Sequence, residues 1–327
     1  MAANPTLDVE PTTEVVEKYH IYHGEARVIS GELEHPVKQP IKEYGNVVLD
    51  HTRREGHLFE SVGPTSIEGL ISFRSGYTRV SGNYLKNKKD LWGNDHSGWV
   101  TLSTSVIEGL NVFEVITADR VVAQVYTEHP HVDGHVPKVS FIGTRFENLK
   151  VAGYPVEAKF NFKVCGDRPA DDQPYLMDNG FLQNVSMQMS TILGSTGLPA
   201  PLEKQYTAEL KKVNGLKQGA NGNGSKAWKG SAQLQCSLVE KIGPIPGAEI
   251  FGNLIFIPDF GIVSLAQLEV GVEEREERYP NPVLLASRPR KDSSYFRLHM
   301  LSVKMGCVGT TNQTNVATAG ANGQTHP

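Results

Sequence analysis

Alternation of apolar and polar residues recurs in both halves of this chain and is interrupted once by helical spacing, which confines the sequence to a body built mainly of β-strands. In GLISFRSGYTRVSGNYL, Gly69 to Leu85, the residues Ile71, Phe73, Ser75 and Tyr77 alternate with Ser72, Arg74, Gly76 and Thr78. In GWVTLSTSVI, Gly98 to Ile107, Val100, Leu102, Thr104 and Val106 share one face. After Ala232 the pattern returns with Leu234, Cys236 and Leu238, then with Ile262, Ala266, Leu268, Val270 and Val272, and finally with YFRLHMLSVKM, Tyr295 to Met305. Val47, Val48 and Leu49 form another short strand ahead of a charged turn region, HTRREGH.

Between the two β regions the spacing changes. Phe181, Leu182, Val185, Met189, Ile192 and Leu193 recur at one, three and four residues, the stripe of an amphipathic helix. A second helix is expected from Pro201 to Val213, with Leu202, Tyr206, Leu210 and Val213 on one face and Gly215 ending it. The expected fold is therefore mainly β, an antiparallel sandwich or distorted barrel with a small helical insertion. It divides into a mobile N-terminal arm (1–18), a first β region (19–165), a helical and loop insertion (166–226), a second β region (227–308) and a polar C-terminal tail (309–327) with little to bury.

The 327 residues suffice for a sizeable core, and a formal net charge of -4 offers no basic footprint for nucleic acid. No segment reaches the roughly 18 consecutive apolar residues of a transmembrane helix, and the N-terminus shows no basic start followed by an apolar run. The three cysteines, Cys165, Cys236 and Cys307, are widely spaced, so they read as buried thiols or as one disulfide with a cysteine left over.

Two clusters carry chemistry. From Ala118 to Phe146, strand-like runs flank Asp133 and Gly134, a preferred pair for a tight hairpin turn. In an extended segment His129, His131, Asp133 and His135 project from one face, a ligand set suited to a divalent transition metal. Against that reading, the turn breaks the shared face between His131 and His135, leaving a solvated hairpin tip. In the polar loop before the next strand, Trp92 and Trp99 flank Asp95 and His96, an arrangement that suits a sugar or another ring-bearing ligand. The rival reading makes the tryptophans core anchors at the ends of a loop. NVS at Asn184, NGS at Asn223 and NQT at Asn312 fit the glycosylation acceptor pattern.

WVTLSTSVIEGLNVFEVITADRVVAQV, Trp99 to Val125, with FIGTRFENLKVAGYPVEA, Phe141 to Ala158, resembles the core of bacterial choice-of-anchor P family proteins. LIFIPDFGIVSLAQLEV, Leu254 to Val270, with SYFRLHMLSVKMGCVG, Ser294 to Gly309, is similar to that family's closing half. The segments match in order over about half of the chain. The resemblance implies a β-rich extracytoplasmic or cell-surface protein with no assigned activity, and it transfers no catalytic residue. The sequence departs from it in its helical insertion and in showing no signal peptide, sorting motif or hydrophobic C-terminal tail.

No Gly-x-Ser-x-Gly elbow, HExxH helix or Cys-His signature marks a reaction. The leading expectation is a non-catalytic β-structured surface or interaction protein that pairs with itself through its N- and C-terminal arms and needs no cofactor. The alternative is a metal- or carbohydrate-binding domain, with a hydrolytic role open to it, that uses the histidine hairpin or the tryptophan-flanked loop.

Overall fold

The first strand, β1 (Tyr19–Leu33), lies antiparallel to a strand formed by Asn312–Ala321, from Gly24 opposite Ala321 to Glu32 opposite Gln313. The two ends of the chain therefore share a sheet. A computed structural model describes residues 19–33, 39–86, 97–130, 136–170, 173–221, 232–273, 293–305, 312–321 and 324–326. After β1 come β2 (Gln39–Tyr44), β3 (Val47–Thr52), β4 (Gly56–Val62), β5 (Thr65–Ile67), β6 (Ile71–Phe73), β7 (Ser75–Leu85), β8 (Gly98–Val112) and β9 (Ile116–Pro130). Short strands β10 (Lys138–Ser140), β11 (Arg145–Glu147), β12 (Lys150–Val151), β13 (Tyr154–Pro155) and β14 (Ala158–Phe160) lead to a 3-10 turn at Tyr175–Met177. Helices α1 (Asn179–Leu193) and α2 (Ala200–Asn221) follow. The chain then returns to strands as β15 (Ala232–Ser237), β16 (Val239–Ile242), β17 (Glu249–Phe251), β18 (Leu254–Ile257), β19 (Gly261–Glu273), β20 (Ser293–Met305), β21 (Asn312–Ala321) and β22 (Gln324–His326).

Among the described residues, two ten-stranded antiparallel sheets result, with a separate two-stranded one formed by β14 and β16. One runs β17-β18-β19-β20-β21-β1-β2, with β15 also on β19 and β3 and β22 also on β1. The other runs β13-β12-β9-β8-β6-β5, with β7 also on β8, β4 on β7, and β10 and β11 on β9. They face one another as a sandwich rather than a barrel, since among the described residues neither sheet closes on itself. Val28, Ile107, Val121, Phe296, Leu298 and Met300, all buried, belong to the core between the layers.

The helical insertion completes this core. Asp178 caps α1 by accepting a hydrogen bond from the Phe181 amide at 2.7 Å. The predicted stripe of Phe181, Leu182, Val185, Met189 and Ile192 is buried. Tyr175 reaches the sheet, its ring edge-on to Phe296 at 5.1 Å and its hydroxyl donating to the Pro137 carbonyl at 3.0 Å. Helix α2 corrects one expectation, since it passes through Gly215 to Asn221. A mid-helix glycine costs only about 1 kcal/mol, and Leu216 beyond it packs on the core.

The C-terminal segment is also corrected. Expected as a polar tail with little to bury, it supplies β21, whose Thr314, Val316, Ala317, Ala319 and Ala321 are buried between β20 and β1. Small side chains suffice there because neighbouring strands on both sides and the opposed sheet remove them from water. Ala266 and Ala317 hold left-handed backbone conformations, φ 44° and 50°, at positions where the pairing of β19 with β20 and of β20 with β21 skips a residue. The inward face changes parity there, so Val263 and Leu265 join the main core while Ile262 packs with Ile192 and Leu202 of the helices. Simple alternation placed Ile262 with Leu268 instead.

Candidate functional site

The strands on which the predicted site residues lie form one continuous face. On β7, β8 and β9 the inward rungs are Tyr84, Trp99 and His129; then Gly82, Thr101 and Thr127; then Val80, Ser103 and Val125; then Thr78, Ser105 and Ala123. Trp99 and His129, read from sequence as members of two separate sites, are thus register partners on adjacent strands. Both are buried, so His129 lies inside the sandwich rather than on an exposed hairpin, and Trp99 is a core anchor rather than a solvent-facing platform. Trp92, Asp95, His96, His131, Asp133 and His135 lie outside the described residues.

A residue missed in the sequence completes the cluster. His20 of β1 crosses from the other sheet and stacks on Trp99, with ring centroids 5.5 Å apart and planes 12° apart. It approaches His129 at 4.5 Å and meets the edge of Tyr22 at 4.8 Å. Burial, with the nearby Glu55 and Tyr84, raises the Tyr22 phenol well above its ordinary pKa and keeps it protonated. Two imidazoles fall short of the three or four protein ligands of a zinc centre. Among the described residues, no three His, Cys, Asp or Glu side chains are grouped to hold a metal ion.

Beyond this cluster the sheets approach so closely that bulky side chains are excluded. A Cβ on Gly24 of β1 would lie 2.7 Å from Val80 Cγ1 and 2.8 Å from Ser103 Oγ, and one on Gly82 would lie 2.6 Å from the Tyr22 ring. Ser105 fits by donating across the gap to the Arg27 carbonyl at 2.7 Å. The hydroxyls of Tyr22, Thr78, Thr101, Ser103 and Thr127 have no hydrogen-bond partner among the described residues. Along this seam the side chains of the two sheets are in close contact.

The outer face of the β1 sheet carries ions. Glu25 Oε1 accepts from Arg297 Nε at 2.6 Å, its Oε2 pairs with Arg27 at 3.0 Å, and Arg297 also reaches Glu269 at 3.3 Å. Burial alone would raise the Glu25 pKa, but Arg297 and then Arg27 outweigh it and hold the carboxyl below its ordinary value. Beside them His299, bonded to Thr318 at 3.0 Å, is lowered from 6.5 to about 4 by burial and then by the Arg297 charge. The folded state keeps this imidazole neutral where the unfolded state protonates it, so stability rises with pH between about 4 and 6.5. His299→Gln is expected to flatten that slope in urea denaturation at intervals across the window; an unchanged slope contradicts the assignment.

The β4 strand lies at an edge of its sheet. Gly56–Val62 pairs with β7 along its whole length and, among the described residues, with no other strand. Five consecutive residues, His57 to Ser61, are exposed. Phe59 is 59% exposed and Leu58 38%, and Phe59 lies 5.9 Å from the outward ring of Tyr77 on β7. The sequence reading placed the start of this strand in a charged turn; β3 in fact extends to Thr52 and β4 begins at Gly56.

Their surroundings decide the roles of two further candidates. Asn184 sits within α1, half-buried, and donates to the Val164 carbonyl at 3.0 Å, so its amide is engaged in the fold rather than presented as a glycan acceptor. Cys165 and Cys236 are free and buried, the first held well above its ordinary pKa by burial and then by Cys236, the second pushed up to about 12 by burial. Both stay as thiols at neutral pH; Asn223, Asn312 and Cys307 have no described side chain.

A family model described as "Domain of unknown function (DUF8256)" matches residues 20–271. That stretch takes in β1, the β4 edge, the histidine-aromatic cluster and the helical insertion. No curated protein and no solved structure matches the chain.

Proposed function

We infer that this chain, which belongs to the DUF8256 family, is a non-catalytic interaction protein that associates with a second copy of itself by pairing β4 with β4. The observation that carries this reading is the open seven-residue edge with Phe59 and Leu58 exposed. Exposed edge strands are ordinarily blunted by proline, by lysine or by a bulge. GHLFESV contains no proline or lysine, and its register with β7 is uninterrupted.

Symmetry restricts the register. Two copies that extend one sheet across a two-fold axis must place opposed residues on the same face, so the numbers of opposed residues sum to an even value. Centring on Glu60 sets two carboxylates directly opposite, which is unfavourable. Centring on Phe59 opposes it to its own copy, Leu58 to Glu60 and His57 to Ser61, and continues the Tyr77 and Phe59 aromatic row across the join. A single shared strand buries little area, so the dimer belongs to the weak, transient class. The extracytoplasmic or cell-surface setting implied by the resemblance is part of this proposal; protease treatment of intact producing cells tests it, and a chain that is digested only after lysis contradicts it.

The arms expected to mediate assembly are replaced in this role. The C-terminal segment pairs within its own chain as β21 and β22, and residues 1–18 lie outside the described residues. Sedimentation velocity over a wide concentration range is expected to show the parent moving from monomer to dimer. Phe59→Asp places two charges at the axis and should remain monomeric with its fold unchanged, because the side chain is exposed. A parent that stays monomeric throughout, or a variant that dimerises equally well, overturns the proposal.

A further inference from the structure

A cleft of about 260 Å³ opens between one face of α1, the β16 strand and the turn joining β17 to β18. It is independent of the β4 edge. From the helix it receives Asn184, Met187, Gln188, Thr191 and Ile192, which recur with helical period; Asn161, Val239 and Asn253 face them.

Its polar groups are carboxamides held in place by the fold. Asn184 donates one N–H to the Val164 carbonyl at 3.0 Å and retains its carbonyl oxygen. Asn161 accepts from the Lys163 amide at 3.0 Å and retains its NH2 group. Gln188 grips the Ser237 backbone at both ends, donating to its carbonyl at 2.8 Å and accepting from its amide at 2.9 Å, and so fixes α1 against the strand. The remaining lining is apolar: half-exposed Met187 faces the opening, with buried Val164, Val239 and Ile192 behind it. The one ionised side chain among the described lining residues, Glu240, is paired with Lys159 at 2.9 Å.

We propose that this cleft binds an uncharged polyhydroxylated ring, a single sugar unit. Oriented carboxamides offer both donors and acceptors, which matches hydroxyl groups that do the same, and the aliphatic wall suits the C–H face of a ring. Among the described residues the lining supplies no unpaired cation for a phosphate or carboxylate. Its volume admits one ring and not a chain of them.

The six methionines allow a local test, because Met187 lines the cleft while Met300 and Met305 lie in the core. Protein labelled with carbon-13 at the methionine methyl groups is titrated with D-glucose, D-galactose, D-mannose and N-acetyl-D-glucosamine in turn, and with inorganic phosphate. At least one sugar is expected to move the Met187 resonance along a saturable curve, leaving Met300 and Met305 in place. Asn161→Ala, in an exposed turn, and Asn184→Leu should each weaken the response at least tenfold while the other methyl resonances keep their positions. No movement with any of the four sugars, movement with phosphate alone, or an equal response in Asn161→Ala overturns the proposal.

Discussion

Trp99→Ala is expected to lower stability by about 3–5 kcal/mol, the range for removing a large aromatic side chain from a core. The indole is 8% exposed and stacks on His20, which comes from the opposed sheet. Tyr84 lies 5.3 Å away on the adjoining strand. Removing the ring leaves His20, Tyr22 and His129 around a hole that strands held in register cannot collapse to fill. Urea unfolding followed by far-ultraviolet circular dichroism measures the loss. A change below about 1 kcal/mol, the scale of an ordinary surface substitution, would mean that the cluster does not bind the sheets together.

Gly24→Ala should also destabilise the chain, by about 1–3 kcal/mol, although it adds one methyl group and ordinarily favours folding at an unstrained position. The new Cβ would stand 2.7 Å from Val80 Cγ1, 2.8 Å from Ser103 Oγ and 3.0 Å from Thr101 Cγ2, all on strands paired on both sides. Val80→Ala removes the nearest of these atoms. The double variant is therefore expected to be less destabilised than the sum of the singles, a positive coupling that a double-mutant cycle reads directly. Additive losses would show that the sheets are free to move apart here.

This close approach also marks where the sequence could be read and where it could not. The existence of β7, β8, β9, β15, β19 and β20 follows from alternation, as does the helical stripe of α1. The inward face of β8 does not, because Val100, Leu102 and Thr104 look like the core residues, whereas the rungs facing β1 are Thr101, Ser103 and Ser105. Hydrophobicity was outweighed by size: with β1 so near, only small side chains fit. A second change of phase has a backbone cause: between β6 and β7 at Arg74, opposite the left-handed Gly109 where pairing with β8 is interrupted, the inward face passes to Gly76, Thr78 and Val80 in place of Ser75 and Tyr77. His129 belongs to the inward row of Val125 and Thr127, a parity visible in the sequence, but its partner His20 is 109 positions away, a pairing that only the tertiary fold reveals. The β4 edge was hidden for a related reason, because whether a strand has one neighbour or two is a property of the sheet and not of the strand.

Hydrogen exchange of the β4 amides at two protein concentrations tests the central proposal most directly. If a second copy pairs with this edge, peptides covering Gly56–Val62 gain protection at high concentration, while the paired interior of β8 and β20 exchanges equally slowly at both. Phe59→Asp should abolish the difference. Exchange of Gly56–Val62 that is the same at both concentrations, while the protein is dimeric, would place the interface elsewhere and contradict association through β4.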